Sequence, residues 1–208
     1  MATTRRGRPT AAEARALDLT IREAAVEAFL EFGYAGTSMD AIARGAGITR
    51  KTLYARYADK HAVFADVIPW ALARIADDGL LRVDDTDDVE ADLVAFGRLA
   101  IARATHPQNV RLKRIALNEA AQFPEFAVSA DSMMWAQRQR ALTELLRRHE
   151  ARGTVKLDDA ELAAEHFLAL VEAVPARLAD FGIFRSKRQA DRHLRAAVQL
   201  FLRGVTPR

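Results

Sequence analysis

Apolar residues recur every three or four positions along most of the chain, which is the spacing of one face of an α-helix. In the first long segment, glutamates fill the places between the apolar positions. The apolar set is Leu17, Ile21, Ala24, Ala28 and Phe32, and the polar set is Glu23, Glu27 and Glu31. Glycine commonly ends a helix, and Gly33 follows directly. The pattern predicts an amphipathic helix that ends at Gly33 and buries its apolar face, Phe32 included.

Two short helices are expected next, separated by a turn. The first spans residues 38–46 and turns Met39, Ile42 and Ala46 inward. Gly47 supplies the turn, and Thr49 can cap a second helix that extends to about residue 57.

Longer helices account for the rest of the chain. One opens at Asp59 and contains Pro69, which is expected to kink or restart it. Three more are predicted over residues 88–105, 109–122 and 125–152, ended by Pro107, Pro124 and Gly153. A helix capped by Asp158 and Glu161 follows, and after a break near Gly182 a last apolar stripe completes the chain. With no alternating strand pattern, the sequence predicts an all-α protein of about nine helices.

An acidic run, DDTDDVEAD, holds six acids at residues 84–92. It could mark a cation site or an acidic interaction patch. We prefer a simpler interpretation, in which acids in a first helical turn complement the helix dipole and Asp87 with Glu90 acts as a capping pair.

Composition narrows the class of protein. The chain has 208 residues, 50% of them hydrophobic, and no cysteine. It is long enough to bury a stable core, and the lack of cysteine excludes disulfides, thiolate metal sites and thiol nucleophiles. No apolar run approaches the ~18 residues of a membrane span, and residues 1–10 lack the apolar region of a signal peptide. A cytoplasmic protein with no membrane partner is expected.

The positive charge is concentrated near the beginning of the chain. Residues 1–62 contain 10 Lys/Arg and 7 Asp/Glu, whereas the remainder contains 21 of each. Five cations and a single acid lie between Arg44 and Lys60. Such a local patch suits a polyanion such as DNA.

Two short helices joined by a glycine turn have the spacing of a helix-turn-helix, whose second helix enters the major groove. Leu53 and Tyr57, four residues apart, are expected to face the core. Arg50, Lys51 and Tyr54 then face outward, where Arg and Lys can donate to guanine O6 and N7. From periodicity alone, a solvated helix with ordinary surface cations stays open as an alternative.

The same segment resembles the DNA-binding signature of the TetR family of transcriptional repressors over roughly residues 15–64. The matching residues are Gly36-Thr37, Ile42-Ala43, Ala46-Gly47-Ile48-Thr49, Thr52-Leu53-Tyr54, Tyr57 and Lys60. The resemblance implies a homodimeric all-α regulator with a DNA-binding domain at 15–62 and a ligand-binding and dimerisation domain at 63–208. It implies that Arg50, Lys51 and Tyr54 read bases of a near-palindromic double-stranded DNA operator. It also implies phosphate contacts from Thr37, Thr49, Thr52, Arg56 and Lys60, although a surface salt bridge is an equally good expectation for Arg56.

An N-terminal arm is expected over residues 1–14. Its Arg6-Gly7-Arg8-Pro9 resembles the core of an AT-hook, whose arginines lie in a narrow minor groove. Without DNA, the expectation for this arm is a disordered tail.

Residues 63–208 carry no recognisable catalytic or metal-binding motif, so we predict no enzyme activity and no cofactor. Their bulky and polar residues predict a pocket for an unknown small-molecule effector of apolar or aromatic character. The candidate pocket residues are Trp70, Phe96, Asn118, Phe123, Phe126, Met134, Trp135, His166, Phe167 and Glu172. Core packing is the alternative for most of the aromatic ones. The candidate dimer contacts are Leu170, Val174, Leu194, Val198 and Phe201, and burial within the subunit would use the same stripes.

Two other classes stay open at this point. One is a constitutive DNA-packaging protein that has no ligand, and the other is a ligand-binding helical protein that has lost DNA binding. The cations Arg50, Lys51 and Lys60 argue against the second.

Overall fold

The computed structural model describes residues 10–77 and 86–205, and the side chains of residues 75–77 and 124–135 are outside that description. Within those ranges the chain forms nine helices and no strand, which confirms the predicted all-α class. The helices are α1 (Ala11–Gly36), α2 (Met39–Gly45), α3 (Arg50–Tyr54), α4 (Lys60–Asp77), α5 (Val89–Ala104), α6 (Pro107–Asn118), α7 (Pro124–Ala151), α8 (Ala160–Asp180) and α9 (Lys187–Val205).

The chain divides into two compact units, a first unit of Met1–Ala71 and a second unit of Leu72–Arg208. The division falls within α4, nine residues later than the predicted boundary at 62/63. The first half of α4 packs with the first unit because Val63, Phe64, Val67 and Ile68 are completely buried.

Local side-chain chemistry explains where α1 begins and ends. Thr10 and Glu13 form a reciprocal capping box, in which the Glu13 N–H donates to Thr10 Oγ1 at 3.2 Å and the Thr10 N–H donates to Glu13 Oε2 at 2.7 Å. The helix therefore starts at Ala11, three residues before the predicted end of the N-terminal arm. Gly33 breaks the helix with a positive φ of 68°, as the sequence predicted.

One residue of the predicted apolar face of α1 lies in solvent. Phe32 is 50% exposed. Phe29 supplies the buried aromatic ring instead, and it makes an edge contact with Phe64 at 5.0 Å between ring centroids. The buried face of α1 near its end is thus formed by Ala28, Phe29 and Leu30, and Phe32 lies beside it in solvent.

Two of the predicted caps are wrong by one residue. α5 is capped by Asp88, which accepts from the Ala91 N–H at 3.0 Å. α8 is capped by Asp159, which accepts from the N–H groups of Glu161 and Leu162. In each case two acids are adjacent, and the second one stands at the position from which a side chain reaches the free N–H groups.

Prolines mark helix starts more than helix ends. Pro107 and Pro124 are the first residues of α6 and α7, where a missing N–H costs nothing. The predicted starts at residues 109 and 125 were therefore late. α4 is a single helix through Pro69, so this proline does not restart it.

The core of the second unit lies among α5, α7, α8 and α9. It includes Phe96, Phe167, Leu194, Val198 and Phe201. Burial favours the alternative interpretation of two sets of predicted residues. Leu194, Val198 and Phe201 pack within the subunit, and Phe96 and Phe167 are core residues.

Candidate nucleic-acid interface

Two helix caps and one glycine conformation form the turn between α2 and α3. Ser38 caps α2 by accepting from the Ala41 N–H at 3.1 Å. Gly47 takes a positive φ of 64°, which an L side chain rarely adopts. Thr49 caps α3 by accepting from the Thr52 N–H at 3.1 Å. This is the helix-turn-helix that the sequence predicted, although α3 ends at Tyr54 and not at residue 57.

One face of α3 is held by the core of the first unit. Leu53 is completely buried, as is Ile42 of α2. Tyr57 follows α3, is half-buried, and its hydroxyl donates to Asp66 Oδ2 of α4 at 2.6 Å. The same carboxylate accepts two bonds from Arg22 of α1, at 2.9 and 3.1 Å. This cluster fixes the segment after α3 against both α1 and α4.

Burial and the hydrogen bond to Asp66 raise the pKa of Tyr57 to about 12. The phenol therefore stays neutral and donates throughout the physiological range. Arg22 also lies 5.6 Å over the ring of Trp70, so this predicted pocket residue takes part in a contact within the first unit.

The opposite face of α3 is exposed. Arg50, Lys51 and Tyr54 all lie in solvent, with Tyr54 46% exposed. The Arg50 guanidinium contacts the Asp40 carboxylate of α2, yet its side chain is still 66% exposed. A cation held in this way at the start of a short helix is oriented and remains accessible to a base edge.

The five predicted phosphate contacts have different local environments. Thr49 is exposed and its hydroxyl lies 2.9 Å from that of Thr52, so both lie at the start of α3. Arg56 pairs with Asp18 of α1 at 2.7 Å, which is the salt-bridge alternative. Lys60 donates to the carbonyls of Tyr34 and Ala35 at 2.7 and 3.3 Å, where its charge stabilises the end of α1.

Thr37 is the predicted phosphate contact that this geometry contradicts. It is 3% exposed, and its hydroxyl lies 2.6 Å from the Gly33 carbonyl and 3.0 Å from that of Ala28. The side chain closes the break in α1 and presents no donor to solvent. Sequence similarity identifies such a position without revealing which way its hydroxyl points.

The described members of the predicted pocket differ in exposure. Phe123 is completely buried, whereas Asn118 and His166 are exposed. The side chains of Phe126, Met134 and Trp135 lie outside the described residues, as do Arg6 and Arg8 of the arm.

The sequence predicted only one residue of a buried ion pair in the second unit. Arg138 of α7 and Glu172 of α8 are 2.8 Å apart, with side chains 8% and 5% exposed. Glu172 was a candidate anchor, but Arg138 was missed. Its spacing to Leu142 and Leu145, four and seven residues on, places it on the buried face of α7 and could have identified it.

Only part of the predicted dimer surface is exposed to solvent. Leu170 and Val174 of α8 are 37% and 47% exposed. They share this exposure with Leu162 and with Leu200 of α9, which the sequence did not single out.

A helix-turn-helix with exposed cations on its second helix defines a DNA-binding protein of the kind that regulates transcription. Two family models match the chain: "Bacterial regulatory proteins, tetR family" at residues 21–67, and "AefR-like transcriptional repressor, C-terminal domain" at residues 91–204. The chain belongs to the TetR family of transcriptional regulators, as its sequence signature indicated.

Solved structures agree with this assignment. A TetR-family transcriptional regulator from Mesorhizobium loti superposes with a TM-score of 0.82 and 26% identity, over 96% of this chain and 100% of that one. The flavonoid-responsive regulator FrrA gives a TM-score of 0.76 and 30% identity, over 94% of this chain and 99% of that one.

A curated relative is similar over a shorter stretch. It is MftR of Mycobacterium tuberculosis, a transcriptional regulator named for mycofactocin biosynthesis, and it is 40% identical over 86 residues. The match covers 36% of this chain and 40% of that protein.

Neither membrane insertion nor metal binding finds support in the described ranges. No helix there is long and apolar enough to cross a membrane. Nor do three or more His, Asp or Glu side chains, among those that the structure describes, come together as a metal site.

Proposed function

We propose that this regulator is a homodimeric repressor that binds a near-palindromic operator through α3 and leaves it when a small molecule binds the second unit. The exposed group of Arg50, Lys51 and Tyr54 on a rigidly supported α3 carries the proposal. Members of the TetR family bind DNA and dimerise. Two such helices about 34 to 36 Å apart would meet successive major grooves on one side of the duplex.

The base-reading role is assigned to Arg50 and Lys51, with Tyr54 beside them. An Arg fork on a guanine discriminates against a wrong base by about 1–3 kcal/mol. Thr49 and Thr52 are assigned to phosphates because both hydroxyls lie at the start of α3. Arg56 and Lys60 act mainly by holding α3 and α4 in place, since each is already bonded to α1.

The effector is proposed to be an aromatic molecule with a polar group. FrrA, described as flavonoid-responsive, makes flavonoids the first probes to use. Within the second unit, the buried pair of Arg138 and Glu172 offers both a cationic and an anionic partner to a ligand hydroxyl or carboxylate. An effector of this kind releases DNA only if it binds the DNA-free conformation more tightly.

The route between the two functions is proposed to be α4. This helix contributes residues to both units, since the division falls after Ala71 while α4 extends over Lys60–Asp77. Lys60 bonds its start to the end of α1. A displacement of α4 would therefore be transmitted to the DNA-binding helices.

Selection of bound duplexes from a random pool, with and without flavonoids, tests the proposal. A two-fold symmetric consensus, lost on addition of an active compound, is the expected result. Binding without sequence preference would instead indicate a DNA-packaging protein. The double variant Arg138→Met with Glu172→Met is expected to keep the consensus and lose the response to the compound.

A further inference from the structure

A groove lies between α5 and the first turns of α9, within the second unit. Its volume is about 840 Å³, which is within the range of small-molecule binding sites. The apolar side chains that line this α5–α9 groove, among those that the structure describes, are Ile101 of α5 and Ala190 and Leu194 of α9. The groove is therefore large enough for a small molecule and offers it an apolar surface.

The floor of the α5–α9 groove lies where the two helices come close together. Gly97 of α5 has no side chain, and a Cβ there would lie 2.5 Å from Leu194 Cδ1. Leu194 is buried and belongs to the core of the second unit. Since such a core is closely packed, the floor is a fixed apolar surface.

Cations line the outer part of the α5–α9 groove. They are Arg98 of α5 and Lys187 and Arg188 of α9, and all three are exposed. The acid among the described lining residues is Asp191, which accepts from Arg98 Nη2 at 3.0 Å. Asp191 also accepts from Arg195 Nε at 3.0 Å, so two arginines share its negative charge. The groove thus combines an apolar floor with an excess of positive charge.

Two of these cations stand where a helix disfavours positive charge. Lys187 and Arg188 begin α9, whose first turn contains no acid. The positive end of the helix dipole is stabilised by anions and repels cations. The surrounding segment adds to this repulsion, because residues 181–205 contain six Lys/Arg and one acid. An anion bound between the cations would offset both repulsions.

We propose that the α5–α9 groove binds an amphipathic anion, a small molecule with an apolar body and a carboxylate. The apolar body lies on Ile101 and Leu194, and the carboxylate accepts from the cations at the outer part of the groove. Arg98 suits this role because a guanidinium has several N–H donors. Its bond to Asp191 orients the side chain and leaves it able to donate to a ligand.

The α5–α9 groove is separate from the two other surfaces to which we assign a function in the second unit. The proposed effector site uses Arg138 of α7 and Glu172 of α8. On α9, Asp191 and Leu200 are nine residues apart, which places them on opposite sides of the helix. Leu200 shares its exposed side with Leu170 of α8. A dimer contact on that side would therefore leave the groove open.

Isothermal titration calorimetry of the full chain with decanoate tests the chemical class of the ligand. Decyltrimethylammonium, which carries the same alkyl chain and a positive charge, is the control compound, and both are used below the concentration at which they form micelles. Decanoate is expected to bind more tightly than the cation by about tenfold or more. Equal affinity for the two compounds, or no binding of decanoate, would overturn the proposal.

A double charge reversal tests the location of the site. Lys187→Glu with Arg188→Glu should weaken decanoate binding by about tenfold or more. The melting temperature should be unchanged or higher, because acids favour the first turn of a helix. The matched control is Arg140→Glu with Arg203→Glu, which changes the net charge equally at two exposed positions outside the groove. Equal decanoate affinities for the two double variants would overturn the site.

Two further variants separate the groove from its alternatives. Ala190→Trp fills the groove and retains every cation, so it should also abolish decanoate binding. Undiminished affinity would mean that surface cations alone hold the anion, which would overturn the proposal. Arg138→Met with Glu172→Met should bind decanoate as the natural chain does. A loss of binding in this variant alone would place decanoate in the proposed effector site, overturning the groove and leaving the proposed function standing.

Discussion

Replacing Asp92 with alanine is expected to destabilise the second unit strongly, although Asp92 lies in the first turn of α5, where aspartates are usually exposed. Its carboxylate is 2% exposed and accepts three bonds. The Thr86 hydroxyl and N–H donate at 2.7 and 3.2 Å, and His149 Nε2 lies 2.9 Å away. The carboxylate therefore ties residue 86 and the start of α5 to the end of α7.

Hydrogen bonds hold both sides of the His149 ring. Its Nδ1 lies 3.1 Å from the Thr154 hydroxyl, which donates to the His149 carbonyl at 2.9 Å. Both ring nitrogens therefore have a partner, Thr154 at Nδ1 and Asp92 at Nε2.

The expected loss of stability follows from the side chains that lose their partner when Asp92 is replaced. Alanine at residue 92 removes the partner of a His149 ring that is completely buried. Leaving a buried polar group without solvent or a partner costs about 1–3 kcal/mol. The Thr86 groups contribute less, because they lie at the surface and can bond to water.

Urea unfolding followed by tryptophan fluorescence is the appropriate assay. A Trp70→Phe background leaves Trp135 as the tryptophan of the second unit. The control is Asp191→Ala, an aspartate with two arginine partners, Arg98 and Arg195, that is 39% exposed. It is expected to change stability little.

Equal losses of stability from Asp92→Ala and Asp191→Ala would refute the reasoning. A double-mutant cycle with His149→Leu provides a second check, and a coupling energy of about 2 kcal/mol is expected between the two residues. A coupling energy near zero would mean that the two side chains contribute separately.

Three further predictions concern other contacts. Tyr57 should titrate with a pKa of about 12 in a phenolate absorbance titration, and Tyr57→Phe should remove that late phase. Since the folded pKa is raised, the stabilisation is complete below the unfolded value of about 10 and is lost as the pH rises through 12. Lys60→Ala should lower the stability of the first unit by about 1 kcal/mol and leave the salt dependence of DNA binding unchanged. If the slope of the logarithm of the DNA-binding constant against the logarithm of salt concentration fell in size by about one, Lys60 would contact a phosphate instead. Gly97→Val should lower the melting temperature, because a Cβ there would lie 2.5 Å from Leu194 Cδ1 and 3.2 Å from Val171 Cγ1. An unchanged melting temperature would mean that α5 can move away from α8 and α9.

Helix periodicity predicted the fold because the apolar stripe of an amphipathic helix is stable only when it is buried. The same property made the dimer residues hard to predict. Leu194 and Val198 belong to a stripe that fills the core of their own subunit, while Leu170 and Val174 lie on the outer face of α8. Spacing identifies a stripe, and only packing decides whether its partner is the same chain or another one.

The predicted DNA-binding residues also divide into those whose role the sequence predicted and those whose role it did not. Leu53 and Thr49 were predictable because burial and capping are local requirements. Thr37 and Lys60 were not, since each bonds to carbonyls at the end of α1. The partners of Thr37 depend on the break at Gly33, and the partner of Lys60 lies 26 residues away, so helical spacing reveals neither.

The most direct test of base reading by α3 is a comparison of operator selection by Arg50→Ala, Lys51→Ala and Arg44→Ala. All three remove an exposed cation from α2 or α3. The first two variants are expected to lose preference at defined positions of the consensus, at a cost of about 1–3 kcal/mol each. Arg44→Ala should retain the consensus. A consensus that is identical for all three variants would contradict the assignment of Arg50 and Lys51 as the base readers.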